Sequence, residues 1–195
     1  GLKFLRSDST FFHPEDCEKL FELADQNIDI NDSSEKGMLW AEKNAIQKHI
    51  ISCVSMSCID LNRIQKRKFK VVIDAVNGAG SNALPPLLES LGCEVFELYC
   101  EPNGDFVRGT EPLPEHLKNL GEEVIKYGAD VGFAVDPDAD RLAIVNEMGE
   151  PLGEEYTLVV AADGYLRDTG KEEKFVINLS TSLALEKLAE SNNSS

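Results

Sequence analysis

Val131-Gly132-Phe133-Ala134-Val135-Asp136-Pro137-Asp138-Ala139-Asp140-Arg141-Leu142-Ala143-Ile144-Val145 is the stretch on which the reading of this 195-residue chain turns. Two apolar runs flank a turn that carries three carboxylates at alternate positions and closes on an arginine. An unbroken apolar run of this length is the pattern of a strand buried on both faces. The shortness of the turn before the second run, residues 142–146, predicts an antiparallel pair, because parallel strands need a long crossover.

Outward from that pair, strand-like runs at 70–75 and 94–98 alternate with helix-length amphipathic runs at 80–91, 113–127 and 154–167. A further strand over 174–178 and a helix over 183–190 follow. Such alternation predicts an α/β fold, a mixed, mainly parallel sheet layered with helices. Upstream, residues 14–27 read as a short helix with Pro14 in its first turn and acidic residues after it, as the helix dipole prefers. Asn31-Asp32-Ser33-Ser34 is a polar turn and a boundary, and 39–64 reads as mostly helical, with Ile46, Ile50, Val54 and Leu61 apolar. Lys66-Arg67-Lys68 then reads as a solvated helix end or, more sharply, as a phosphate contact.

Lys and Arg number 19 against 35 Asp and Glu, a net charge of −16. That balance argues against nucleic acid or an anionic membrane as partner, since both need a basic surface. An anionic small substrate stays open, because a local cationic cluster can override the global field. No apolar run approaches the roughly 18 residues of a membrane span, and no signal-peptide pattern opens the chain. The five cysteines are odd in number and never spaced C-x-x-C, which predicts reduced thiols in a cytoplasmic protein rather than a zinc site or a disulfide framework. Both ends read as cut: Gly1 opens what looks like the inside of a longer protein, and a lone strand and helix at 174–190 cannot bury their apolar faces.

Three segments carry candidate chemistry. Asp136, Asp138 and Asp140 repel one another unless a positive charge sits between them. Their hard oxygen donors make Mg²⁺ the natural candidate, with water or a phosphate completing its shell. Arg141 could then fork onto a phosphate. The plain alternative is a solvated acidic turn. An EF-hand reading fails, because Arg141 stands where the loop needs glycine and 142–145 reads as strand. A haloacid-dehalogenase-type phosphatase, with Asp136 as nucleophile, is a further alternative, although Ala139-Asp140-Arg141 departs from its usual continuation. The second segment is Gly78-x-Gly80-x-x-Ala83 after a strand, with Glu97 at the end of the next, which matches a dinucleotide-binding pattern. Asp74, Asn77 and Pro85-Pro86 do not suit that pattern, and a tight strand-to-helix turn explains the glycines as well. The third is the Pro- and Gly-rich loop over 101–114, either functional or a solvated connection.

Together these segments resemble the α-D-phosphohexomutase superfamily along nearly the whole chain and in the family's order. Gly1-Leu2-Lys3-Phe4 is similar to the stretch after its phosphoserine loop, and Asp74-Ala75-Val76-Asn77-Gly78-Ala79-Gly80 to the opening of its second domain. Residues 102–114 are similar to the segment before its next helix, 136–141 to its metal loop, and Asn178-Leu179-Ser180-Thr181-Ser182 to the opening of its third domain. The resemblance implies a four-domain enzyme that moves phosphate between C6 and C1 of a hexose through a phosphoserine and a bisphosphorylated intermediate. It implies that Asp136, Asp138 and Asp140 hold Mg²⁺, and that Lys3 and Arg141 help proton transfer or orient phosphate. It further implies hexose phosphate, hexose bisphosphate and the missing domains of the same protein as partners. Domains are expected at 1–33 (the end of domain one), 34–170 (domain two, with the metal loop) and 171–195 (the start of domain three). The family's serine would precede Gly1, and its sugar-selecting and phosphate-binding loops would follow Ser195, so the chain alone is expected to be inactive. Ser180 and Ser182 lie in a different family segment from the nucleophile. A phosphoglucosamine or phosphomannose substrate is favoured by 136–141 together with Gly153-Glu154-Glu155-Tyr156-Thr157. The rival from another class is a non-catalytic metal-binding or structural domain.

Overall fold

The computed structural model describes residues 3–26 and 37–195. It divides into two compact units, Gly1–Ala41 and Glu42–Ser195. The polar turn expected at 31–34 lies outside the described residues.

In the first unit, an antiparallel bridge joins Leu5 to Phe11, and helix α1 spans Pro14–Asp25. The Asp16 carboxylate accepts from the His13 amide at 3.0 Å and from Arg6 Nε at 2.6 Å, tying the helix start to the bridge. α1 buries none of its residues.

The second unit is built on four strands: β1 (Lys70–Asp74), β2 (Glu94–Leu98), β3 (Val131–Val135) and β4 (Leu142–Val145), in the order β2-β1-β3-β4. β1 pairs in parallel with β2 and β3, and β3 pairs antiparallel with β4. The expected mixed, mainly parallel sheet is present, with the one antiparallel pair where the short turn placed it. Central β1 buries Val71, Val72 and Ile73 almost completely. Each such side chain contributes about 1.5–3 kcal/mol on leaving water. Side chains alternate across the sheet, so Val72 packs with Leu120, Val124, Ala134 and Val145, whereas Val71 and Ile73 pack with Leu88. The first face is covered by α5 (Lys118–Tyr127) and the second by α4 (Leu84–Ser90). α5 ends at Gly128, whose φ of 57° gives the left-handed cap that favours glycine.

Helices α2 (Ala45–Val54) and α3 (Leu61–Arg67) precede the sheet; α6 (Glu154–Thr169) and α7 (Leu183–Ser191) follow it. Four sequence expectations need correction. The 39–64 helix is two helices, because the Asp60 side chain accepts from the Arg63 amide at 3.0 Å and caps a new start. The helices expected at 80–91 and 113–127 each open as a 3-10 turn, Ala79–Asn82 and Pro114–His116, before the α-helix begins. Pro85 and Pro86 sit in the first turn of α4, where their missing N–H groups cost nothing. The strand expected at 174–178 is absent. Its backbone meets the C-terminal residues instead, Phe175 N–H donating to Ser195 O at 2.7 Å and Ser195 N–H to Glu173 O at 3.0 Å. With no neighbouring strand, Val176 stays fully exposed. No helix among the described residues is long and apolar enough to cross a membrane.

Candidate metal and phosphate site

β3 ends at Val135, and Asp136 is the first residue beyond it, only 6% exposed. The chain then folds back so that Val135 faces Leu142 across the β3–β4 ladder. Asp136 organises this turn itself. Its Oδ1 accepts from the amides of Asp140 (3.0 Å) and Arg141 (3.1 Å), and its carbonyl accepts from Ala139 N–H at 3.1 Å. Ala139 takes a φ of 60° to make the corner. One carboxylate oxygen from each of Asp136, Asp138 and Asp140 then lies within 4.8 Å of the others, the first buried and the other two exposed.

Two unit charges 4.8 Å apart repel by roughly 1 kcal/mol in water and several-fold more near a protein surface. A hard divalent cation between them removes that repulsion, and all three donors are hard carboxylate oxygens. The residues fit such an ion: Asp136 is held by two amides, while the exposed side chains of Asp138 and Asp140 are free to turn toward it.

The turn rests on the glycine segment after β1. Ala79 N–H donates to Pro137 O at 2.8 Å, and a Cβ on Gly78 would stand 2.5 Å from that same oxygen. The close approach of the 136–141 turn therefore accounts for Gly78 without a dinucleotide, which answers the Gly78-x-Gly80-x-x-Ala83 pattern. Just before it, Val76 and Asn77 have φ of 47° and 56°. A β-branched residue in that region costs about 1–3 kcal/mol. The strain is offset by stitching: Val76 N–H donates to Asp74 Oδ1 at 2.9 Å and Asn77 N–H to Tyr99 O at 2.6 Å. The Asn77 side chain also accepts from Glu101 N–H at 3.1 Å and donates to Asp105 O at 2.9 Å.

Two residues escaped the sequence reading. Arg108, its side chain 6% exposed, donates from Nε to Asp74 Oδ2 at 2.7 Å, from Nη2 to Val135 O at 2.7 Å and from Nη1 to Gly109 O at 3.0 Å. Burial pushes the Asp74 carboxyl above its ordinary value, against the opposing pull of Arg108 and the Val76 amide. A signal for this pair was present: an aspartate ending a buried strand needs a cation, and Arg108 is the one basic residue in 101–114. The second is Glu111, whose carboxylate pairs with the Arg141 guanidinium. Arg141 is thus held at the end of the metal loop.

Lys3 lies exposed in the first unit, just before the bridge at Leu5. Ser180 donates its hydroxyl to Asn178 Oδ1 at 2.9 Å, and Ser182 caps α7 by accepting from Ala184 N–H at 3.2 Å. With Thr181, these serines line a groove of about 700 Å³ that also takes in Asp140, Arg141 and Glu155. Of the Lys66-Arg67-Lys68 cluster, Lys66 and Arg67 fall in the last turn of α3, and Arg67 lies 3.6 Å from the Asp130 carboxylate and stacks over Phe69. The five cysteines are all free thiols.

The sequence model described as phosphoglucomutase/phosphomannomutase, alpha/beta/alpha domain II, matches residues 47–149. That span contains the whole four-stranded sheet and the metal loop. A phosphoglucosamine mutase of Pasteurella multocida is 30% identical over 194 residues, covering 96% of this chain and 42% of the relative. A phosphoglucomutase/phosphomannomutase of Thermococcus kodakarensis is 41% identical over 135 residues, 69% of this chain and 29% of the relative. Among solved structures, a phosphoglucomutase/phosphomannomutase family protein of Burkholderia thailandensis superposes with a TM-score of 0.56 at 25% identity, covering 69% of this chain and 31% of that one. This chain spans less than half the length of each of these three proteins. The Asp-x-Asp-x-Asp turn at the end of β3 and the glycine turn beneath it are thus parts of a mutase domain rather than of a phosphatase, and the chain belongs to the phosphoglucomutase/phosphomannomutase family, the α-D-phosphohexomutases.

Proposed function

We propose that this chain is the central part of a Mg²⁺-dependent phosphohexomutase that interconverts hexose 6-phosphate and hexose 1-phosphate, with phosphoglucosamine or phosphomannose as the favoured substrate class. The observation that carries the reading is the meeting of three carboxylate oxygens within 4.8 Å at the exit of β3, inside the segment that matches the family's second domain. Bound there, Mg²⁺ supplies charge neutralisation and polarisation of a transferring phosphoryl group.

The chain's own residues set up that chemistry. Asp136, pinned by two amides, is the fixed ligand, and Asp138 and Asp140 complete the set from the exposed side. Arg141 offers a planar fork for phosphate oxygens. The family resemblance assigns Lys3 a second cationic role, on phosphate or in proton transfer. The serine that would exchange phosphate with the sugar lies outside this chain, as do the loops that would select the sugar and grip its phosphate. The chain alone is therefore inactive as a mutase, and its partners are a hexose phosphate, a hexose bisphosphate and further domains of the same protein. Domain limits at 1–33, 34–170 and 171–195 and a cytoplasmic setting complete the proposal; five free thiols are compatible with a reducing compartment.

The test is a mutase assay on glucosamine 6-phosphate, mannose 6-phosphate and glucose 6-phosphate, with Mg²⁺ and a hexose bisphosphate activator. It compares this chain with a version extended at both ends. Activity in the extended protein alone supports the proposal and names the sugar. Activity in the short chain would overturn the assignment of roles, and inactivity in both would favour a non-catalytic metal-binding domain.

A further inference from the structure

We propose that the segment 99–114 is a strap that sets the geometry of the metal loop from both ends, with Arg108 as its positioning residue. The claim about the cation rests on the metal reading above; the claim about the loop does not.

The strap is anchored before it reaches the site. Asn77 receives the Glu101 amide on its side-chain oxygen and donates to Asp105 O, and Gly104 N–H donates to Asn77 O at 3.1 Å. Arg108 then enters the end of the sheet. The β1–β3 ladder stops at the pair Asp74↔Ala134, because β1 leaves the sheet through the left-handed Val76 and Asn77. Val135 O lies one step beyond that last pair, and Arg108 Nη2 meets it at 2.7 Å. The guanidinium extends the ladder by one hydrogen bond after the neighbouring backbone has gone. It holds β3 in line up to the residue before Asp136. Its Nε is held by the Asp74 carboxylate, itself 1% exposed, so the cation is fixed by a strand end and not by a mobile loop. Three residues later, Glu111 pairs with Arg141 at the other end of the turn. The spacing of the three aspartates is thus set between two strap contacts, one buried and one at the surface.

A planar fork reaching Asp74, Val135 and Gly109 at once is a property of arginine; a lysine ammonium keeps the charge but is a point donor on a flexible stem. Arg108→Lys therefore separates charge balance from positioning. In the extended protein used for the mutase assay, the variant is expected to fold, by far-UV circular dichroism. Amide exchange at Asp140 and Arg141, both bonded to Asp136 Oδ1, is expected to rise about tenfold without added metal, while the β1 amides keep their protection. Mn²⁺ affinity, read by electron paramagnetic resonance, is expected to fall about tenfold, as for other changes one layer behind metal ligands. Unchanged exchange at Asp140 and Arg141 would overturn the proposal, as would a uniform rise across the sheet, which marks a merely structural loss. If the parent binds no Mn²⁺ that Asp138→Asn weakens, the metal reading fails, and the exchange result still decides the strap. Should Arg108→Lys not fold, Glu111→Gln at the surface end takes its place. A rise in exchange at Arg141 alone supports the strap, and no change refutes it.

Discussion

Replacing Gly78 by alanine tests how tightly the metal loop is seated on the β1 turn. The φ and ψ at Gly78, −98° and −162°, are open to any residue, so the substitution carries no backbone penalty and its cost is steric. The new Cβ would meet Pro137 O at 2.5 Å, Pro137 Cα at 2.8 Å and Pro137 C at 3.0 Å, all backbone atoms that cannot rotate aside. Restoring an ordinary contact of about 3.4 Å requires the loop to move by about 0.9 Å from the 2.5 Å approach. That shift stretches the 2.8 Å Ala79–Pro137 hydrogen bond beyond bonding range. Overpacking of this kind costs about 1–3 kcal/mol, and the lost hydrogen bond a further ~1 kcal/mol. The stiffer unfolded chain returns roughly 0.5 kcal/mol, leaving a net loss of about 1.5–3.5 kcal/mol. Urea unfolding followed by far-UV circular dichroism would show this as a midpoint lower by about 1 M or more at unchanged slope. Fluorescence would serve less well, because the single tryptophan, Trp40, lies in the first unit and is 78% exposed. Gly164→Ala, in α6 with nothing within 4 Å of the added Cβ, is the control; it should stabilise by about 0.5–1 kcal/mol. A Gly78→Ala protein as stable as its parent, or one that keeps slow exchange at the Ala79 amide, would refute the argument.

Asp136→Ala should destabilise the metal-free protein by about 1–3 kcal/mol, because two amides lose their buried acceptor. Asp138→Asn should leave metal-free stability unchanged or slightly raised, since it only relieves repulsion; isothermal titration with Mg²⁺ should find both variants weakened. Burial pushes the Cys100 thiol up to about 11. Its labelling by iodoacetamide should therefore lag behind that of exposed Cys58 at pH 8 and climb about tenfold per pH unit toward 11, because the thiolate is the nucleophile. The same shift has a definite sign for stability: folding is favoured below the unfolded thiol value near 8.5 and loses this contribution as pH rises toward the folded value. Arg63→Ala breaks a 2.9 Å pair with Asp168 whose side chains are 75% and 53% exposed, and thermal unfolding should register less than about 1 kcal/mol.

Much of this was legible along the chain. The bounds of β3 agree with its apolar run, because a strand covered on both faces must be apolar throughout and stops where charge begins; those of β2, an edge strand that leaves Glu94 and Glu97 exposed, agree with its shorter apolar pattern. The cluster of Asp136, Asp138 and Asp140 was legible for a similar reason: its meeting depends on one turn, closed by Asp136 on amides four and five residues away. Misreadings arose where a neighbour was assumed. Residues 174–178 have strand composition, but a strand needs a partner, and the C-terminal residues take its place. The division of 39–64 was written in Asp60 before Leu61, a cap signal outweighed by the apolar periodicity on either side.

By itself the sequence determined the α/β alternation, the antiparallel turn and the three aspartates whose oxygens meet at it, all properties settled within a few residues. Tertiary structure alone decided what supports them. Asp74 and Arg108 are 34 positions apart, as Arg141 and Glu111 are 30 apart in the numbering. They meet because the order β2-β1-β3-β4 sets the end of β1 beside the end of β3. There the buried Asp74 carboxylate must find a cation and the last β3 carbonyl must find a donor, and one guanidinium satisfies both.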